Sequence, residues 1–227
     1  MALFGRRRDR RQAEQHDEPE YAANEYSDHD EDDDEAQAGD FEPSQGDLEG
    51  MAGPFDEEAP DDGVPRLNLG SLMLPLPDGA QVQAKMSDQQ PGVIEEIIIG
   101  TQIGDIRIKG YAAPRSGGLW EQACGDLAAQ LKSEGATVRS ASGEWGQELM
   151  ATLGEMAIRV IGVEGDRWML RGHVVGPQEL AAQAAHVLRT MVRGTVVVRG
   201  SQPWPPNEPL PIQLPPEALQ YLEAQGG

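Results

Sequence analysis

Five cations have the most scope for binding chemistry in this sequence. Arg107, Lys109, Arg159, Arg167 and Arg171 all alternate with apolar neighbours such as Ile106, Ile108, Trp168 and Leu170. Alternation with period two belongs to a strand with one buried face. Strands carrying these residues side by side would form a cationic sheet face. Three uses are open to it. It can be a solvated surface balanced by carboxylates such as Glu95, Glu148 or Glu155; it can seat an anionic ligand or nucleic acid; or it can receive an acidic segment of the chain itself. A formal charge of -21 repels polyanions at long range and disfavours nucleic acid.

Other reactive residue types are sparse. Glu95 and Glu96 are adjacent on a strand-like run, so they point to opposite faces and cannot share a substrate as acid and base. His173 follows Gly172 in a strand pattern, where it can titrate near neutral pH or serve as a hydrogen-bonded structural residue. The single cysteine, Cys124, falls in an apolar helical stripe and reads as a buried structural thiol. His16, His29, His173 and His186 are scattered and suggest no metal site. There is no GxxxxGK[ST] phosphate loop, no GxSxG and no HExxH. We therefore expect no catalytic, cofactor or metal site.

The elements that must position the cations lie in a charge-balanced region. Residues 1 to 65 hold 22 acidic side chains and five arginines, a net of -17, and all five arginines fall between Arg6 and Arg11. Residues 66 to 200 hold 14 acidic and 13 basic side chains, a net of -1, with nearly all the Val, Ile and Leu. A run such as Asp30 to Glu35 repels itself and offers little apolar surface to offset backbone entropy, so a disordered acidic tail is expected over 1–65. An α+β domain is expected over 66–200 and a Pro-rich tail over 201–227. In that tail seven prolines between Gln202 and Pro216 interleave with Trp204, Leu210, Ile212 and Leu214, which favours an extended segment docked on the domain. A short final helix is expected from Pro216 to Ala224.

Within the domain, Leu67 to Leu76 predicts a broken first strand, and Val82, Ala84 and Met86 alternate as a second. Val93 to Thr101 and Ile106 to Tyr111 follow as third and fourth. Leu119, Ala123, Leu127 and Leu131 recur at helical spacing, flanked by Trp120 and Cys124. Three more strand candidates come next: Thr137 to Ala141, a segment around Glu148 to Ile161, and Arg167 to Val175. Val163 to Asp166 reads as a hairpin turn, and Arg159, Arg167 and Arg171 are expected opposite Trp168 and Leu170. A second helix starts near Pro177 and buries Leu180, Ala184, Val187, Leu188 and Met191; Thr195 to Arg199 is a last strand candidate. Strands, helix, strands, helix is an α+β order: an antiparallel sheet of about six strands covered by two helices.

That order of elements is similar to small domains of the Mog1 and PsbP type. The segment Gly162 to Gly172, with its Gly165-Asp166-Arg167-Trp168-Met169-Leu170-Arg171-Gly172 run, resembles an uncharacterised actinobacterial family known only as a domain of unknown function. The acidic beginning and Leu210 to Pro215 agree with it. The resemblance implies a bacterial, cytoplasmic protein and no activity, cofactor or site residue. Fifteen arginines against three lysines fit a GC-rich genome. No run of about eighteen apolar residues is present, so no membrane span is expected, and Met1 to Arg11 does not read as a secretory signal. The functional expectation is a non-enzymatic protein-interaction module whose acidic tail modulates binding to a protein partner. The alternative is a small-molecule binder or enzyme with a pocket between sheet and helix, near Trp120, Trp145 or Trp168.

Overall fold

A computed structural model describes residues 53–90, 92–214 and 216 of the chain. The Arg6 to Arg11 cluster, the acidic run from Asp30 and nearly all of the expected final helix lie outside these residues. In chain order the elements are β1 (Phe55–Asp56), β2 (Arg66–Asn68), β3 (Leu72–Pro75), β4 (Gln81–Met86), β5 (Ile94–Thr101), β6 (Gly104–Ala112) and α1 (Leu119–Ser133). There follow β7 (Thr137–Gly143), β8 (Gly146–Leu153), β9 (Met156–Glu164), β10 (Trp168–Pro177), α2 (Ala181–Gly194) and β11 (Val196–Val197).

The α+β class holds, but the strand count differs from one sheet of about six. The main sheet has seven antiparallel strands in the order β4-β5-β6-β10-β9-β8-β7, and a second sheet has four in the order β1-β11-β3-β2, with β1 parallel to β11. Two physical reasons explain the difference. The segment from Glu148 to Ile161 is two strands, because Gly154 takes φ 59 and lets the chain reverse between Leu153 and Met156. The expected strands at Leu67 to Leu76 and Thr195 to Arg199 form β2, β3 and β11, but they pair in a second sheet with β1, whose two residues are too few for periodicity to register.

Register sorts each residue of the main sheet to one of two faces. Ile99, Ile106, Ile108, Leu170, Val174, Ile161 and Val163 share one face, where α2, the second sheet and Leu210 bury them. The backbone comes close here: a Cβ on Gly172 would sit 3.0 Å from both Leu188 and Val192 of α2. Leu149, Val160 and Met169 share the opposite face, under Trp120 and Cys124 of α1. Helix α1 packs against β7, β8 and β9 over the far half of that face, and among the described residues no helix covers the β4, β5 and β6 side. Its N-terminus has no cap from its own side chains. Glu164, at the end of β9, supplies one: its carboxylate accepts the backbone N–H of Gly118 and of Trp120, each at 3.0 Å.

The folded region is wider than 66–200. Phe55 and Asp56 pair with Val196 and Val197, the Trp145 indole donates to the Gly53 carbonyl at 3.2 Å, and the Trp168 indole donates to Asp56 at 3.0 Å. Residues from Gly53 onward therefore belong to the domain and not to a disordered tail. At the other end, Leu210 is buried and donates to Gly110, while Ala112 donates to Glu208. The tail thus runs as an extra extended segment beside the second half of β6, where pairing with β5 has ended. Pro209 and Pro211 fit because alternate residues carry the bonds to β6 and a proline needs no donor there. This is the docked arrangement expected of the Pro-rich tail.

Candidate functional site

The register brings three of the five cations together. Arg171 lies opposite Lys109 and His173 opposite Arg107, all on the face that α1 covers only in part. Gln83, Lys85, Glu96, Ile98, Arg107, Lys109, Arg171 and His173 all keep some exposure there. Arg107 is paired with Glu96 at 3.2 Å and stands 3.4 Å from His173 Nε2. Arg171 lies over the Tyr111 ring at 4.9 Å, a cation-π arrangement that fixes the guanidinium without neutralising it. Among the described residues neither Lys109 nor Arg171 has a carboxylate partner.

The other two cations are elsewhere. Arg167 sits in the hairpin turn with φ 63, beside Asp166 at 3.7 Å, and its carbonyl accepts from Arg199 and Ala113. Arg159 pairs across the ladder with Val174, so it shares a face with Leu170 and Trp168, not the face opposite them. It donates to Glu148 at 3.1 Å, and Arg189 of α2 clamps the same carboxylate with bonds of 3.1 and 2.8 Å. Glu148 is only 2% exposed. Burial draws Arg159 below its ordinary range, and the Glu148 carboxylate offsets this in part. The sequence names Glu148 as a partner carboxylate but carries no signal for Arg189, which lies 41 residues away on a helix.

Trp120, Trp145 and Trp168 each spend their indole N–H on a backbone or carboxylate acceptor within the domain. Cys124 is buried in α1 as expected, and desolvation raises its thiol above the ordinary value. Among the described residues no cluster of His, Cys, Asp and Glu could hold a metal, and no helix is long and apolar enough to cross a membrane.

A family model described as a protein of unknown function, DUF3710, matches residues 53–221, well over half of the chain. The chain belongs to the DUF3710 family. The matched span begins at Gly53 and so includes β1, which agrees with the wider domain described above. No curated protein matches the sequence. The domain has a weak likeness to the solution structure of cyanobacterial PsbP (CyanoP) from Synechocystis sp. PCC 6803, with TM-score 0.39 and 8% identity over 62% of this chain and 97% of that one. A crystal structure from Bacteroides thetaiotaomicron VPI-5482 gives TM-score 0.36 and 13% identity over 61% of this chain and 50% of that one, so the match spans half of that protein. At those scores neither likeness establishes a shared fold.

Within this DUF3710 domain His173 is held to about 4, chiefly by burial and then by the positive charges of Arg107 and Arg171. The imidazole is therefore neutral at pH 7, and the charge of the face comes from arginine and lysine. The depressed value has a stability consequence. Between an unfolded value near 6.5 and the folded value of about 4, the unfolded chain binds the proton more readily. Stability is full above pH 6.5 and falls as pH drops toward 4, by roughly 2 to 3 kcal/mol from this residue. Urea denaturation at several pH values should show a smaller fall in His173→Gln than in the native chain. Parallel curves for the two would remove His173 as the cause.

Proposed function

We propose that this protein is a non-enzymatic interaction module that presents the half of its main sheet not covered by α1 to an acidic surface of another protein. The row formed by Lys109 and Arg171 carries the reading: two adjacent cations, partly exposed, with no carboxylate partner among the described residues. An antiparallel face that carries Lys109 beside the ring-stacked guanidinium of Arg171 suits charge-complementary docking, which sets specificity and encounter rate more than raw affinity. Arg107 belongs to the same face, though Glu96 already balances it. Residues 66 to 200 are nearly neutral, and the acid excess lies upstream. Those acids compete by charge with an acidic partner, which makes the tail a modulator of binding. Arginine-rich usage fits the GC-rich genome of an actinobacterial source, and we place the protein in the cytoplasm.

Titration of the full-length protein with a labelled glutamate-rich peptide, alongside partner capture from nuclease-treated lysate, tests this reading. Changing Lys109 and Arg171 together to Glu should weaken peptide binding tenfold or more, about 1.4 kcal/mol or more. Neutralising the acids from Asp28 to Glu35 with Asn and Gln should strengthen it, and added salt should weaken it in every variant. Equal affinity in the native protein and the double charge reversal would exclude this face.

A further inference from the structure

The opposite face of the sheet carries a second feature, independent of the docking reading. A half-open cavity of about 440 Å³ lies beside the start of α2, lined by Thr137, Arg139, Met150, Thr152, Arg159 and Gln178 among others. A volume of this order is that of small-molecule pockets. Register explains how the polar groups converge. Arg139, Met150, Arg159 and Val174 form one row across β7, β8, β9 and β10. Thr137, Thr152, Ala157 and Gly176 form the row beside it on the same face. Neighbouring strands lie about 4.8 Å apart, so the two arginines of the first row flank Met150 with backbones roughly 10 Å apart. One anion placed above Met150 is within reach of both.

The two arginines differ in a way that suits a binding site. Arg159 is fixed by Glu148, whereas Arg139 is exposed and has no ion-pair partner among the described residues. Arg189 and Arg159 share the single carboxylate of Glu148, so that cluster keeps one net positive charge. The floor is apolar and small: Ala157, Ala181 and Ala184 line the space between sheet and helix, where larger side chains would occupy it. Packed interiors leave few such gaps, and filling one ordinarily adds stability.

We propose that this cavity binds a small organic anion, with its carboxylate or phosphate between Arg139 and Arg159 and its apolar body over Met150, Ala181 and Ala184. The planar guanidinium fork suits both head groups. Backbone amide NMR of the full-length protein is the test, with hexanoate and hexyl phosphate as probes, and with hexanol and inorganic phosphate as probes lacking the charge or the apolar body. The expected result is saturable shifts confined to β7, β8, β9 and the start of α2, with one or both of the amphiphilic anions binding more tightly than hexanol and inorganic phosphate. Whichever of the two binds more tightly identifies the head group. Arg139→Gln should weaken binding at least tenfold with an unchanged melting temperature, since its side chain is exposed and has no ion-pair partner among the described residues. Ala184→Leu, which fills the floor, should abolish it. Hexanol binding as tightly as hexanoate, shifts located elsewhere or absent, or an unaltered affinity in Arg139→Gln would each overturn the proposal.

Discussion

Glu148→Gln is expected to destabilise the domain by about 3 to 5 kcal/mol. The carboxylate is 2% exposed and receives three charge-assisted hydrogen bonds, two from Arg189 and one from Arg159. An amide of the same shape has one acceptor oxygen, no charge, and an N–H₂ that points donors at donors. Two guanidinium groups, 19% and 32% exposed, would then lose their counter-ion. The chain leaves no room for rearrangement, since a Cβ on Gly143 would already lie 2.1 Å from the Glu148 carboxylate. Urea denaturation reads the loss. A further variant separates charge isolation from packing: Glu148→Leu combined with Arg159→Met and Arg189→Met should recover most of the stability, because replacing a whole buried ion cluster by apolar groups is far milder than removing one member. A loss in Glu148→Gln below about 1 kcal/mol would mean that this carboxylate does not hold β8, β9 and α2 together.

The second large effect lies on the other face. Trp120→Ala should lower stability by about 3 to 5 kcal/mol, the range for emptying a large buried aromatic site. Trp120 is 6% exposed, and its ring lies on Gly162 so closely that a Cβ there would be 2.0 Å from it. Its indole also donates to the Gln147 carbonyl at 2.8 Å. The ring is thus the main anchor of α1 on β8 and β9. Gly162→Ala alone should lower stability by about 1 to 3 kcal/mol through overpacking. The two changes should not add. Once the ring is gone, the methyl of Gly162→Ala has space, so the double variant should be little worse than Trp120→Ala. Simple additivity would mean that the ring and Gly162 do not meet in solution.

Much of the scaffold is legible along the chain, and the reasons are local. Helices α1 and α2 follow from apolar residues at spacings of three and four, such as Leu119, Ala123 and Leu127, or Ala184, Leu188 and Met191. Strands β4, β6 and β10 follow from period-two alternation over six or more residues, and β5 from its strand-forming run of isoleucines. What is not legible is held by distant donors. Phe55 and Asp56 sit among acidic residues and look unfoldable alone, yet the indoles of Trp145 and Trp168 and the edge of β11 fix that segment in place. No pattern within residues 53 to 58 records those partners. The cavity near Arg139 is equally invisible, since its walls come from β7, β8, β9, β10 and α2.

The cationic pattern divides in the same way. The sequence by itself determined that Arg107 and Lys109 share one face of a strand, that Arg171 and His173 share one face of another, and that the acid excess lies upstream of a nearly neutral domain. Tertiary structure alone decided that β6 and β10 are neighbours and that Arg171 meets Lys109. It also decided that Arg159 belongs to the other face. The β9 to β10 connection holds three residues, Gly165 to Arg167, with Arg167 in the left-handed region, and this sets Arg171 opposite Gly162 and Arg159 opposite Val174. A register shifted by one residue would have put Arg159 and Arg171 on the same side. Side chains alternate with a period of two, so the parity of a short turn decides which face a charge occupies, and alternation within each strand cannot encode it.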